Sequence, residues 1–325
     1  MRGIKHGLIS FFLILSTPFA RGQDFYTIFD ADVEYSPGNT YVLEPRNTVT
    51  IQENNSNFNL PLQRENGDAF LVGLGVHKLR LLPTFNVSPI NTDTVYTSTY
   101  QFYRYRIQGG YNKQWNDKVS SVIVLMLRMS SDLEDGIQSD IFQFGGAFLM
   151  SEKRTDNFTL KYGIYANTEF FGLFIAPLLG YDWIINDKTR MFGVLPARMT
   201  FQRKLSNTFR TGLIFMAPSY SYRLGESTFE NAKGETVPTY AQNIKNTLSL
   251  YFDTYLTKSI ALQLRVGRTV FRRIRLYESD DVNTINVYGI GIGGGRRQPI
   301  PVPAFRDFDD GWIVNVSLSY RFNLE

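Results

Sequence analysis

The chain has 325 residues, no cysteine, 20% charged and 15% aromatic side chains, a formal net charge of +4 and a mean hydropathy of -0.19. The lack of cysteine excludes a disulfide framework and any thiolate metal centre. The small net charge, without a dense basic patch, argues against a nucleic-acid partner. A helical membrane protein would be far more apolar, whereas a transmembrane barrel mixes lipid-facing apolar residues one for one with lumen-facing polar ones. A soluble all-β chain has the same balance, so composition leaves both open.

Arg2 and Lys5, the apolar run Leu8–Leu15, the breakers Ser16, Thr17 and Pro18 and the small residues around Ala20-Arg21-Gly22 predict a secretory signal peptide over 1–22, cut near Gly22. No stretch of the chain offers the ~18 consecutive apolar residues of a membrane helix. A membrane-bound mature chain must then be a closed barrel, because only helices and closed barrels satisfy every backbone group in lipid.

From residue 23 onward the hydrophobic period is two. Phe29, Ala31, Val33 and Tyr35 alternate with Asp30, Asp32 and Glu34, and Phe70, Val72, Leu74 and Val76 with Gly73, Gly75 and His77. Tyr103, Tyr105, Ile107 and Tyr111 oppose Arg104, Arg106 and Gln108, and Phe158, Leu160, Tyr162 and Ile164 oppose Lys161, Gly163 and Tyr165. Val119–Ser130 is apolar on both faces. Leu248, Leu250 and Phe252 alternate with Ser249, Tyr251 and Asp253, and the strand from Ile260 loses phase near Arg268, as at a bulge. The last strand is the cleanest: Trp312, Val314, Val316, Leu318, Tyr320 and Phe322 share one face, with aromatics at both ends as interfacial girdles require.

Short connections carrying Asn-Gly, Asn-Asp and Ser-Asn turn chemistry fall at Gln63–Asp68, Asn112–Lys118, Ser151–Asn157, Asn186–Thr189, Ser206–Asn207 and Thr257–Ser259. Longer ones are expected at Pro37–Asn47, Leu81–Thr97, Ser131–Gln138, Phe170–Ala176, Gly225–Asn243 and Glu278–Asp310, with a tight one near Leu195–Ala197. Short turns on one side and long loops on the other predict an all-β fold: a transmembrane antiparallel up-and-down barrel of about fourteen strands, twelve or sixteen being the neighbouring even counts. The expected organisation is a signal peptide over 1–22 and a barrel over 23–325, with long extracellular loops at 225–243 and 278–310. The second loop is the one segment able to hold a plug or lid.

The last strand and its terminal aromatic resemble the signal by which the barrel-assembly machinery recognises outer-membrane barrels; Trp312, Tyr320 and Phe322 carry that likeness, although Asn323, Leu324 and Glu325 follow. The stretch Phe171-Gly172, Pro177-Leu178-Leu179-Gly180-Tyr181-Asp182-Trp183, Asn186-Asp187-Lys188 and Gly193-Val194-Leu195-Pro196 is similar to an uncharacterised outer-membrane barrel family of Bacteroidota. That resemblance implies the barrel fold and no activity.

His6 lies in the signal peptide, so His77 is the sole histidine of the mature chain; without a G-x-S-x-G elbow, a lumen histidine is the simpler reading than a hydrolase base. Gly289–Gly295 contains a formal G-x-G-x-x-G, but Arg296, Arg297, Gln298 and Pro299 follow instead of a helix, which points to a loop and not a dinucleotide site. Asp30, Asp32 and Glu34 are candidate lumen charges. They would bind Ca²⁺, form a cation-selective rung, or, most simply, pair with Arg104, Arg106, Arg128 or Arg265. Arg268, Arg272, Arg273 and Arg275 form a candidate outer basic cluster, available to lipopolysaccharide phosphates or to Asp280, Asp281, Asp307, Asp309 and Asp310. The expected location is the cell outer membrane. The expected partners are its lipids, lipopolysaccharide and the assembly machinery, and no cofactor is expected. The functions in play are a passive channel or small-solute uptake pore, a plugged structural or interaction barrel, and, last, an outer-membrane hydrolase.

Overall fold

The computed structural model describes residues 25–42, 46–87, 94–225, 236–279, 282, 285–287, 290–293, 297–300, 302, 304–305 and 307–323. The signal-peptide segment, Asp280, Asp281, and Gly289, Gly294 and Gly295 of the glycine run lie outside the described residues.

Alternating segments pair because each strand leaves both backbone edges unsatisfied in lipid until a neighbour covers them. In chain order the strands are β1 (Phe25–Thr40), β2 (Thr48–Gln63), β3 (Ala69–Val87), β4 (Thr94–Thr97), β5 (Tyr100–Gln114), β6 (Val119–Ser131), β7 (Phe142–Thr155), β8 (Phe158–Glu169) and β9 (Gly172–Asn186). They continue with β10 (Thr189–Leu195), β11 (Arg198–Lys204), β12 (Phe209–Met216), β13 (Ser219–Arg223), β14 (Thr239–Tyr255), β15 (Ile260–Glu278), β16 (Ile285–Val287), β17 (Ile290–Ile292) and β18 (Trp312–Asn323). Fourteen of them form a closed antiparallel wall, in which each strand pairs with the next wall strand of the chain and β18 returns to β1 from Phe25↔Asn323 to Tyr35↔Val314. No helix among the described residues is long and apolar enough to cross a membrane.

The faces follow the alternation. Val72, Leu74, Ile107, Leu250, Val316 and Leu318 are exposed on the outside, while Glu34, His77, Tyr251 and Asn315 are buried inside. Trp312 at one end of β18 and Tyr320 at the other stand in the exposed belt, and the Tyr320 ring meets that of Phe322. The bulge in β15 falls two residues later than the sequence phase indicated: Thr247 pairs with Thr269 and Asn246 with Phe271, so Val270 is the extra residue and both Val270 and Phe271 face outward.

The six short turns expected from the sequence all lie at the end of the barrel that also holds the start of β1 and the end of β18, the turn end, whereas the tight β10–β11 connection lies at the other. At 64–68 Gly67 sits at φ +84°, a conformation that favours glycine, and Arg64 and Asp68 close the turn. The opposite, loop end departs from expectation in four places. β1 runs past Pro37, the expected start of a loop, to Thr40, with a register shift between Ser36 and Asn39. The connection expected at Phe170–Ala176 is a turn at 170–171, with Gly172 already in β9. β3 runs on to Val87 and pairs with the short β4. β14 starts at Thr239, inside the expected loop 225–243, and Thr239–Asn243 are all buried, which hides the alternation.

β10 and β11 hold only seven residues each, about half the fifteen of β9. Beyond their tip, β9 finds a parallel partner in β16 at Leu173–Ile175. β12 breaks at Ala217-Pro218, because proline cannot donate to the ladder. The chain resumes as β13, still paired with β14, and its end bridges Arg223 to Ser131 of β6. β13 therefore crosses the lumen instead of following the wall.

Replacing Leu250 by Arg, in the outer belt, should cost about 2–4 kcal/mol near the midplane. Ser317→Arg, facing the lumen cavity beside Asp32, should be better tolerated, as read by the folded fraction on heat-shift gels. A second expectation concerns the turn at 64–68. The Tyr111 hydroxyl, at 2.5 Å, and the Gln114 N–H, at 2.9 Å, hold the Asp68 carboxyl well below the usual carboxylate range, with Lys113 at 3.1 Å. A depressed folded value stabilises above the unfolded pKa of about 4 and is lost as pH falls through the folded value. Asp68→Asn should thus lower the melting midpoint at pH 7, and the gap to the parent should narrow under strong acid.

Candidate functional site

The loop-end half of the lumen is an apolar core. Tyr41, Val49, Ile51, Leu79, Leu81, Phe102 and Tyr222 pack there with Ile274, Leu276, Ile300, Ala304, Phe305 and Phe308. The last four come from the loop after β17. β18 begins only at Trp312, opposite Arg268, so the longer β15 and β1 have open edges above it. The loop fills that gap: Ile300 N–H donates to Leu276 at 2.9 Å, Val42 N–H to Asp307 at 3.1 Å and Asp309 N–H to Thr40 at 2.8 Å. Phe305 then reaches the far wall, 4.9 Å from Tyr100 and 6.1 Å from Phe102 between ring centroids. Burying one such ring is worth about 1.5–3 kcal/mol. Of the segment 278–310, Ile300, Ala304, Phe305 and Phe308 are thus buried in the lumen core.

β13 is the second filling. On one side Tyr222 shares a hydrogen bond with His77 Nδ1 at 3.0 Å, and Tyr220 lies under the Arg104 guanidinium at 3.5 Å. On the other side Ser221 meets Gln143 at 3.0 Å and donates to Glu169, which also accepts from Arg128 at 3.2 Å and Asn167 at 2.8 Å. Beyond this, Arg297 lies over the rings of Phe171 and Tyr277.

Below the apolar core lies an ionic layer. Glu34 of β1 and Glu53 of β2 are directly opposed in register, a like-charge pair that is unfavourable by itself. Lys245 of β14 sits between them, 2.7 Å from Glu34 and 2.8 Å from Glu53. Arg272 adds a contact to Glu53 at 2.9 Å and His77 Nε2 one at 3.3 Å. Every side chain of the layer is at most 8% exposed. Both ring nitrogens of His77 are thus engaged by Glu53 and Tyr222, with no serine on them among the described residues.

Between this layer and the turn end is a cavity of about 560 Å³. Asp30, Asp32, Asn55, Asn57 and Asn59 line one wall, and Phe192, Val194, Ile214, Met216 and Tyr251 supply apolar surface opposite. Asp32 accepts from Asn315 at 2.7 Å and Asn55 at 3.2 Å and is 3.8 Å from Arg265; Asp253 takes Arg321 at 2.8 Å. Asp30 accepts from Asn57 at 3.0 Å, and the same amide accepts from Arg106 at 3.1 Å.

Of the lumen charges singled out from sequence, Asp30, Asp32, Glu34, Arg104, Arg106, Arg128 and Arg265 all face inward, but only Asp32 and Arg265 pair within that set. Glu34 takes Lys245 and Arg128 takes Glu169. The outer basic cluster is not a unit. The bulge at Val270 turns Arg272 into the lumen, where its side chain is fully buried on Glu53. Arg268 donates to the Asp310 carbonyl at 3.2 Å, Arg275 pairs with Asp307 and Arg273 lies against Phe271. Among the described residues no cluster of three metal-ligating side chains occurs. Sequence reasoning missed Glu53, Lys245, Glu169 and β13. Lys245 lies on the same inward phase as Thr247, Ser249 and Tyr251, which was the available signal for it.

A closed wall with an apolar outer belt and a charged, partly filled lumen defines a transmembrane β-barrel of the outer-membrane type. The chain belongs to the family described as Domain of unknown function (DUF6268), whose model matches residues 97–289. No curated protein matches it. Solved structures similar to it include the TodX deltaS2S3 mutant monoaromatic hydrocarbon channel, at 10% identity and TM-score 0.40, covering 91% of this chain and 89% of that one. The Pseudomonas putida toluene transporter TodX gives 9% and 0.35 over 90% and 88%. The beta domain of the Bordetella autotransporter BrkA gives 10% and 0.30 over 91% and 100%.

Lys245→Met should leave two opposed carboxylates buried with too little counter-charge and cost about 3–5 kcal/mol. Glu34→Gln made together with Lys245→Met should recover part of that loss in the same unfolding measurement.

Proposed function

We propose that the chain is exported through its 1–22 signal peptide to the cell outer membrane and serves there as a barrel plugged at its loop end, with a solute-binding chamber at its turn end. The observation that carries this reading is Phe305, held inside the lumen against Tyr100 and Phe102 by the loop after β17. A permanently open passive channel would need a water-filled path where Phe102, Tyr222 and Phe305 pack at 1% exposure or less. Uptake through this barrel therefore requires the 300–308 segment to leave its seat. The paired state of His77 gives no support to a hydrolase.

In planar bilayers the purified protein should show no steady conductance. Replacing 300–308 by a flexible linker should produce discrete openings, since that segment supplies four of the side chains in the apolar core. Steady porin-like conductance of the unaltered protein would sink this reading in favour of an open channel.

A further inference from the structure

Like charges at facing positions of neighbouring lumen strands are not all treated alike. Glu34 and Glu53 face each other across β1–β2, and the chain supplies Lys245 and Arg272 as counter-ions. Arg106 and Arg128 face each other across β5–β6, with Arg104 two residues along the same inward face. Here the chain supplies one direct carboxylate, Glu169, and it goes to Arg128. Among the described residues neither Arg104 nor Arg106 has a carboxylate within ion-pair distance. Arg104 is stacked on Tyr220. Arg106 reaches Asp30 only through Asn57. Both leave a buried nitrogen without a partner, Nη1 of Arg104 and Nε of Arg106. Both line the cavity. Gly75 stands opposite Arg106 on β3, and a Cβ there would come within 3.2 Å of the Arg106 Nε and Nη2, so the bare backbone makes room for the guanidinium.

Uncompensated guanidiniums in a confined space are costly, and a planar donor fork matches the oxygens of a phosphate or carboxylate. We infer that Arg104 and Arg106 form an anion-binding site in the turn-end chamber, taking a small solute that carries one phosphate, phosphonate or carboxylate group. The apolar wall of Ile214, Met216 and Tyr251 and the ring of Tyr220 give such a solute's carbon portion a surface to lie on. The cavity, at about 560 Å³, is of the size that holds a small organic molecule. This inference rests on the chamber assigned above and names its ligand class.

The test uses the full mature barrel, refolded in a nonionic detergent free of phosphate and phospholipid, with phenyl phosphate as probe and phenol as its uncharged analogue. Phenyl phosphate should bind by calorimetry and raise the melting midpoint by linkage, and phenol should do neither. The double variant Arg104→Gln, Arg106→Gln should weaken binding at least about tenfold, and without probe it should be no less stable than the parent, since like-charge repulsion has been removed. A purely structural role predicts the reverse: a less stable variant whose probe response is unchanged. Should the double variant fail to fold, Arg106→Lys keeps the charge, loses the fork, and should weaken binding by a smaller factor. A separate arm with dihexanoyl phosphatidic acid distinguishes the source of the anion: binding of that lipid without binding of phenyl phosphate would overturn the solute assignment. Equal affinity in parent and double variant, or binding of neither phenyl phosphate nor the lipid by the parent, would overturn the site altogether. Either result leaves the plugged barrel standing if bilayer conductance stays absent, whereas steady conductance removes the plug reading without touching the binding result.

Discussion

Sheet closure is the constraint from which the other features follow. In lipid an unpaired strand edge leaves N–H and C=O groups that cost several kcal/mol each, so the pairing of β18 with β1 from Phe25↔Asn323 to Tyr35↔Val314 is what allows every other strand to sit in the membrane. Closure with fourteen strands then creates an interior too wide for facing side chains to fill by themselves. The outer belt is fixed by lipid. The interior is where this chain makes its own choices.

Those choices run in layers. At the loop end, where β18 and the β10–β11 hairpin both stop short, the chain fills the space with its own segments: 300–308 above β18, and β13 above the hairpin. Both fillings bring aromatic rings to Phe102, so they share one core. Beneath it, carboxylates from β1 and β2 meet cations from β14 and β15, which ties the strands on either side of β18 together through buried ion pairs. Such a layer gains little over an apolar one, yet removing one partner is expensive, so it fixes where the walls sit relative to each other. The chamber is what remains once plug, crossing strand and ionic layer are in place.

The barrel was legible because lipid imposes a strict rule on one face. Phe70–Val76, Tyr103–Tyr111 and Trp312–Phe322 read as strands with the correct face outward, and the six short turns and the tight turn near Leu195–Ala197 set the parity. Legibility failed where the lumen is filled. In β2, Val49 and Ile51 turn inward to the plug while Ser56 is exposed, so the apolar face changes sides along one strand. Thr239–Asn243 are buried throughout and read as loop. The charge partners were not legible either: Lys245 and Glu53 are 192 positions apart in sequence and meet only because the wall curves round. The fate of 300–308 was legible as a possibility, from its length and its apolar content, but its destination depends on how far β18 falls short of β15.

Cysteine reactivity tests the closed loop end most directly, because the chain has no cysteine of its own. Single Phe305→Cys and Val42→Cys variants on intact cells would be treated with a membrane-impermeant maleimide. Val42, 52% exposed at the loop end, should label readily, and Phe305, 1% exposed inside the core, should stay protected until the barrel is unfolded. Equal labelling of the two on folded barrels would contradict the account, since it would place the 300–308 segment outside the lumen.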